Sequence, residues 1–480
     1  MDKQNAVGIV KKQQDMLLRV NDQIWQFAEM AFREYKSADL LCRILEEEGF
    51  TVNRGIAGLE TAFFGKYGHG HPVIGILGEF DALSGMNQKG ESALREPCSP
   101  QAAGQPGHGC GHNSFAAGSL AAAIAIKEYL KSNPGKQGTV VFCGCPGEEG
   151  GSGKAFMARE GAFSDLDAAL TWHPFSANVV HSGSKLANVS VLYSFKGRSS
   201  HASSSPHLGR SALDAVELMN VGVQFLREHM PSHDRVHYAI TDTGGTSPNV
   251  VQSEASVLYL LRSPNNDGVQ ELRRRVDLIA NGAAMMTETE VSIRFIKGCS
   301  NFMTNHVLEK VLQQNMESIA LPQYTEREIA FCRKLVESLP SGWKDPLSEP
   351  GRAGFSAYKA MRKQANPYIN DFILPLEPHD AVAFGSSDVG DVSWNCPTAW
   401  LYTTLYPVGT VPHSWQWVSS GTSSIAHKGL LFAGEVLAGA GIDLIDNPIL
   451  VAQAKEELQD RLNGHPYQCP IPPLVKPTVL

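Results

Sequence analysis

Four short stretches of the 480-residue chain carry side chains able to hold a metal ion or move a proton. In Gly107-His108-Gly109-Cys110-Gly111-His112-Asn113, a thiol and an imidazole stand two apart on a glycine-rich loop. Glycine lets the backbone turn so that both can aim at one centre, and a thiolate with an imidazole is a good donor pair for first-row transition metals. In Cys145-Pro146-Gly147-Glu148-Glu149-Gly150-Gly151, two carboxylates are adjacent. Neighbouring carboxylates repel unless a cation or a proton separates them, so one can bind metal while the other holds or takes a proton. Trp172-His173-Pro174 and Pro412-His413-Ser414-Trp415 add two more imidazoles.

Taken singly, these stretches are ordinary. The chain has 16 histidines, and a lone histidine is more often structural than a ligand. Adjacent glutamates are usually a solvated face, as Glu46-Glu47-Glu48 at a helix end is, and Cys143 and Cys145 read as buried strand residues. What distinguishes the four stretches is the elements around them. Apolar runs at 73–77 and 139–143, bounded by glycine or proline, read as buried strands, with an alanine-rich helix at 114–130 between them. A further apolar segment, 168–170, leads to His173. The ligand types therefore fall at strand ends or in glycine-rich loops, the region where open α/β sheets bind their ligands.

The remaining chain supplies the scaffold. Apolar residues recur at helical spacing over 7–48 (Leu17, Val20, Ile24 and Phe27, then Leu41 and Ile44), with Gly49 as the stop. Near residue 187 the pattern changes. Strands at 188–196, 235–241, 255–261 and 291–296 and helices at 211–229 and 269–283 give the order βαββαβ, a ferredoxin-like split βαβ unit. The expected architecture is an α/β catalytic domain with a central sheet flanked by helices, formed by 1–187 and 299–480. A smaller α+β domain at 188–298 interrupts it. Residues 338–352 read as a surface insertion, and the proline-rich 465–480 as an extended surface segment.

Bulk properties narrow the class. With 42% hydrophobic and 19% charged residues, the chain has a globular protein's composition. A formal charge of -8 argues against nucleic acid or an anionic membrane as the main partner, though a local basic pocket could still take an anionic substrate. No run of about 18 apolar residues reads as a membrane span, and the first residues do not read as a signal peptide. Nine scattered cysteines, an odd number, point to reduced thiols and a cytoplasmic protein.

Cys110-Gly111-His112, the pair Glu148-Glu149, His173-Pro174, the late His413 and Glu79-Phe80-Asp81-Ala82-Leu83 together resemble the M20 family of metallopeptidases, in its amidohydrolase branch. The resemblance runs over nearly the whole chain, the inserted domain included. That branch contains hippurate hydrolases, auxin-conjugate hydrolases and the aminobenzoyl-glutamate utilization proteins. The chain is most similar to the B-subunit group of the last, through 107–113, through Ser387-Asp388-Val389-Gly390-Asp391-Val392-Ser393-Trp394, and in length. Three features depart from the wider branch: Asn113 where many relatives have Asp, Cys145-Pro146-Gly147 where many have Gln-Pro-Ala, and a longer insertion near 321–352. These leave the metal set intact and bear on substrate choice.

The resemblance implies that Cys110, His112, Glu149, His173 and His413 hold two divalent ions, with the thiolate able to bridge them. Manganese is favoured by family likeness, and zinc also suits such donors. Glu148 would take a proton from water and pass it to the leaving nitrogen, and Asp81 would orient a ligand histidine or simply cap a turn. In Gly197-Arg198-Ser199-Ser200-His201 the histidine would assist the oxyanion, often in the partner subunit's site. Asn249 in Gly244-Gly245-Thr246-Ser247-Pro248-Asn249 would meet the substrate carboxylate. Arg262 would bind carboxylate or pair with surface acids. The inserted domain would then be a lid and dimerisation domain, in a homodimer or with a related subunit. The implied reaction is hydrolysis of N-acyl or N-aroyl amino acids, p-aminobenzoyl-glutamate first, with hippurate-like or indoleacetyl substrates as alternatives. Trp415 and Trp417 could face an apolar acyl group or sit in the core. Two other readings compete: a cysteine hydrolase built on Cys110 and a histidine, and a subunit active only with a sister subunit.

Overall fold

The computed structural model of the chain describes residues 1–348 and 354–478. Its main sheet has seven strands in the spatial order Thr51–Arg54, Phe63–His69, Gly138–Cys145, Val73–Glu79, Ala168–Phe175, Thr398–Thr404 and Val179–Val180. The central strands Gly138–Cys145, Val73–Glu79, Ala168–Phe175 and Thr398–Thr404 are mutually parallel, and the outer ones are antiparallel. Val73–Glu79 and Gly138–Cys145 are buried along their whole length, as strands covered on both faces must be. One face is covered by the alanine-rich helix His112–Ser132 and the apolar helix Ser424–Asp446, which pack against each other, with Gln14–Phe27 beside them. The short helix Gly153–Arg159 belongs to the apolar cluster of the other face, which continues into the segment 188–298 through Val189, Val191 and Tyr193.

Between 187 and 299 the chain forms strand Ala187–Lys196, helix Ala212–Arg227, strands Arg235–Asp242 and Glu254–Ser263, helix Asn266–Thr287 and strand Glu290–Cys299. Ala187–Lys196 and Glu254–Ser263 are central in this all-antiparallel sheet. Arg235–Asp242 lies at its edge, and beyond Val236 its side chains are exposed.

One stretch differs from the sequence reading, and one open alternative is decided. The helical run expected over 7–48 is broken. Its main part, Gln14–Phe27, ends at Ala28, which adopts φ +42, and helix resumes only at Tyr35–Glu47. No glycine or proline marks the break, because it is made by distant partners. Buried Glu34 accepts hydrogen bonds from Phe32 N, Thr61 Oγ1 and Gly147 N, and the Glu29 carboxylate accepts from Lys36 N and Ser37 N of the next helix. Trp417 lies in the core, stacked on Tyr406 at 4.0 Å, so it is not available to a substrate.

The insertion expected at 338–352 is described as far as residue 348 and is mostly exposed there; 349–352 lie outside the described residues. The proline-rich end has no regular structure over 465–478 but is pinned down. Arg159 Nη1 donates to Pro472 O and Val475 O, and Ile471 is buried. Residues 479–480 lie outside the described residues.

Candidate metal centre

The carboxyl ends of the parallel strands converge on one cluster. Val73–Glu79 delivers Glu79 and, two residues on, Asp81; Gly138–Cys145 leads to Glu148 and Glu149; Ala168–Phe175 carries His173. Helix His112–Ser132 begins at His112, directly after Gly111 at φ +79, which only glycine adopts freely. A Cβ at 111 would also lie 2.1 Å from Tyr406 Oη, so the loop can press Cys110 inward only with glycine there. His413 comes from the loop after Thr398–Thr404, with φ +61. That conformation costs a non-glycine residue about 1 kcal/mol or more, and it is held by His413 N donating to Gly109 O at 2.8 Å.

Two donor sets form around the half-buried Cys110. In one, Cys110, His112 and His173 each offer a ligand atom within 4.8 Å of the others; in the second, Cys110, Glu149 and His413 do the same. Cys110 Sγ lies 3.4 Å from His173 Nε2, and Glu149 Oε1 lies 3.3 Å from His413 Nε2. The outer contacts aim these donors. Asp81 spans two of them: Oδ1 sits 2.8 Å from His112 Nδ1 while Oδ2 accepts from Glu149 N at 2.9 Å. His173 Nδ1 is 2.8 Å from Pro174 O. Both imidazoles thus have Nδ1 engaged and Nε2 turned to the cluster, the arrangement that fixes a metal-ligating tautomer.

The donor chemistry fits a pair of cations sharing the thiolate. His112 Nε2 and Glu149 Oε1 are fully buried without a well-aligned hydrogen bond, which is costly unless another partner takes the lone pairs. Burial, then Glu149, push the Cys110 thiol well above its usual range; a divalent ion reverses that field and deprotonates a coordinating thiol. Burial and neighbouring His112 hold His173 down at about 3, so it is a neutral imidazole. Burial opposes charge on Glu149, but His413 and His112 overcome it and hold its carboxyl at about 2. A cysteine nucleophile paired with one histidine would leave Glu149, His173 and His413 without a joint role, whereas the two donor sets use all of them.

Glu148 occupies a different environment. It groups with Glu79 and His112 within 4.8 Å. Burial, then Glu79 and Glu149, push its carboxyl well above the usual range. A carboxylate so placed takes up a proton readily. Beneath it lies a charge cluster that sequence reasoning did not assign. Buried Lys154 sits 2.7 Å from Glu79 Oε1 and 2.6 Å from Asp388 Oδ1, and Glu79 Oε2 is 3.2 Å from His112 Nε2. Glu79 and Asp388 fall inside recognisable motifs, and position i−2 to Asp81 was the available hint for Glu79. Lys154, in Gly153-Lys154-Ala155-Phe156, carries no local signal.

The remaining predicted residues lie elsewhere. His201 and Asn249 come together with each other: His201 bridges to Val250, and Ala202 N donates to Asn249 O at 3.0 Å. Both side chains are exposed, and among the described residues His201 Nδ1 accepts from Ser203 N and Ser204 N, with Ser203 Oγ 3.2 Å away. Arg262 is half-buried and donates to Ser386 Oγ at 2.7 Å, two residues before Asp388. Asn113 faces away from the cluster, donating to Asn21 Oδ1 and Gly421 O.

The model of peptidase family M20/M25/M40 matches residues 75–415, which include every donor of the cluster. The chain belongs to this family. It is 45% identical over 464 residues to the B subunit of the p-aminobenzoyl-glutamate hydrolase of Escherichia coli (strain K12), covering 96% of this chain and 95% of that one. Among solved structures, its fold is similar to the aminobenzoyl-glutamate utilization protein of Klebsiella pneumoniae. There the TM-score is 0.57 at 16% identity, over 88% of this chain and 97% of that one. A dinuclear metal-binding M20 peptidase from Bacillus subtilis matches with a TM-score of 0.55 at 15% identity, over 91% of this chain and 99% of that one. As an M20 member the chain is a hydrolase, and its donor sets are those of a metal-dependent one.

Proposed function

We propose that this protein is a two-metal amidohydrolase that splits N-acyl or N-aroyl amino acids, with p-aminobenzoyl-glutamate, giving p-aminobenzoate and glutamate, as its substrate. The observation that carries the reading is one thiol shared by two donor sets, with a separate buried carboxylate beside them. The 45% identity to one subunit of a p-aminobenzoyl-glutamate hydrolase supports the substrate.

Cys110, His112 and His173 would hold one ion, and Cys110, Glu149 and His413 the other. Manganese is the favoured metal, and zinc would also suit these donors. The ions supply Lewis acidity, polarising the scissile carbonyl and acidifying a water. Asp81 keeps His112 and the Glu149 backbone in place for this. Glu148 takes the proton from the attacking water and returns it to the leaving nitrogen. Asn249 and Arg262 meet the substrate's α-carboxylate, and His201 donates to the developing oxyanion.

Residues 1–187 and 299–480 form the catalytic domain in this reading, and 188–298 form a lid through which subunits associate. Exposed Tyr238 and Ile240 on the edge strand Arg235–Asp242, and exposed Val221 and Phe225 on helix Ala212–Arg227, support an interface there. The partner is a second copy or a related subunit, as the word "subunit" in the relative's name suggests. A cytoplasmic location follows from the cysteine pattern, and no described helix is long and apolar enough to cross a membrane.

The test is glutamate release from p-aminobenzoyl-glutamate by the manganese-loaded chain, with Glu148→Ala in parallel. Turnover should drop by about 10²-fold or more in the variant, while metal content stays unchanged. Release that persists in Glu148→Ala removes the base. No release from metal-loaded wild type, alone or with a related subunit, removes the substrate.

A further inference from the structure

A cavity of about 420 Å³ opens beside the metal centre. His413 and Trp415 form one side; the segment 85–104 forms the other, with Met86, Arg95 and Glu96. This second wall is built rather than loose. Asn87 N donates to Gln105 O, Lys89 N to Glu96 O, and Glu91 N to Ser419 O. Ser419 Oγ donates to Ser92 O, and the buried Gln88 side chain holds both Leu94 O and Glu96 N. The wall is also tied to the ligand loop. Leu83 and Gly107 exchange backbone hydrogen bonds, and a Cβ at Gly109 would lie 2.9 Å from Met86 Cε and 3.5 Å from His413 Cα. Arg95 and His413 therefore face one space from a connected frame.

The two ionic groups of that wall differ. The Glu96 carboxylate is already engaged, accepting from Ser92 Oγ at 2.7 Å with Lys89 at 3.4 Å. Among the described residues Arg95 has no ion pair or hydrogen bond, so its planar donor fork is available. A guanidinium in that state is suited to a carboxylate, which it grips with two parallel hydrogen bonds. The volume is in the range of small-molecule pockets. The methylenes leading to a carboxylate would lie against Met86 and Trp415.

We infer that this cavity receives the acidic side chain of the substrate's amino acid, and that Arg95 makes the protein selective for N-acylated dicarboxylic amino acids. The inference rests on the amidohydrolase reading for its substrate class. It assigns the second carboxylate, while Asn249 and Arg262 keep the first.

Binding separates this inference from the activity. In manganese-loaded Glu148→Ala protein, calorimetry would compare p-aminobenzoyl-glutamate with p-aminobenzoyl-glutamine, which lacks only the side-chain charge. Adding Arg95→Gln should weaken the glutamate compound by about 10- to 100-fold, the weight of a charge-assisted hydrogen-bond pair. The glutamine compound should stay within about twofold, and Arg95→Lys should recover part of the loss. Arg95 is exposed, so an unchanged melting temperature is expected and rules out misfolding. Equal losses for both compounds, no preference for glutamate before the substitution, or no binding of either compound would overturn the inference. Absence of product release from wild type, alone or with a related subunit, would instead overturn p-aminobenzoyl-glutamate as the substrate, whatever the binding shows.

Discussion

The ligand cluster around Cys110 and the polar loops around His201 both come from short motifs, yet the fold treats them in opposite ways. In the cluster, residues distant in sequence are tied together through side chains and backbone: Asp81 to His112 and to Glu149 N, Gly109 O to His413 N, and Lys297 Nζ to Glu149 O at 2.7 Å. His112 and Glu79 are buried, and Glu149 nearly so. At the loops, His201 and Asn249 are exposed and bonded to near neighbours. Folding alone therefore preorganises the first region, whereas the second stands exposed; in the proposed function it acts on a site brought to it, by closure or from another subunit. Preorganised donors stabilise developing charge with little reorganisation at the moment of reaction. A mobile group can admit substrate before it completes the site.

The sharpest break in this comparison is removal of the shared thiol. Cys110 belongs to both donor sets, whereas His413 belongs to one. Cys110→Ala should therefore strip both ions and abolish turnover, while His413→Ala should keep the ion held by Cys110, His112 and His173. Elemental analysis of dialysed protein distinguishes the two. Equal metal loss in both variants would mean the two sets do not act as separate sites.

The next effect is on stability. Lys154→Met leaves Glu79 and Asp388 buried without their cation, and removing one partner of a buried ionic cluster costs about 3–5 kcal/mol. Asp388→Asn in the same chain should return part of that. In the inserted domain the partly exposed pair Arg210–Glu288 should contribute only about 0–1 kcal/mol. Denaturant unfolding of Lys154→Met and Arg210→Met measures both, and a similar cost for the two would erase the contrast between the regions.

Legibility in the sequence followed the same division. Strands Val73–Glu79 and Gly138–Cys145 and helix His112–Ser132 were readable because burial on both faces writes continuous apolar runs. The five candidate donors stood out because cysteine, histidine and paired glutamate are conspicuous beside glycine, and the fold brings their ligand atoms together. Lys154 was not, because its partners Glu79 and Asp388 lie far from it along the chain, on either side. The break at Ala28 was missed for a related reason: Glu34 ties the turn to Thr61 and Gly147, far off in the chain, while Glu29 caps the next helix, and no glycine or proline announces it. Trp417 fills the core against Tyr406, since aromatic type alone does not say which way a ring faces.

The smallest structural effect belongs to His201, and it is the most informative about the second region. An exposed side chain with local hydrogen bonds should be replaceable by alanine at a cost within about 0.5 kcal/mol, with metal content unchanged. If His201 completes the oxyanion site, turnover should nonetheless fall by about 10²-fold. Because His201 stands apart from the cluster of its own chain, we expect its target to be the site of a neighbouring subunit. Mixing His201→Ala with Glu148→Ala should then restore turnover, since each mixed pair holds one site with both an intact base and an intact donor. Mixed pairs that form but stay inactive would place the histidine's action within its own chain, reached by closure of the inserted domain.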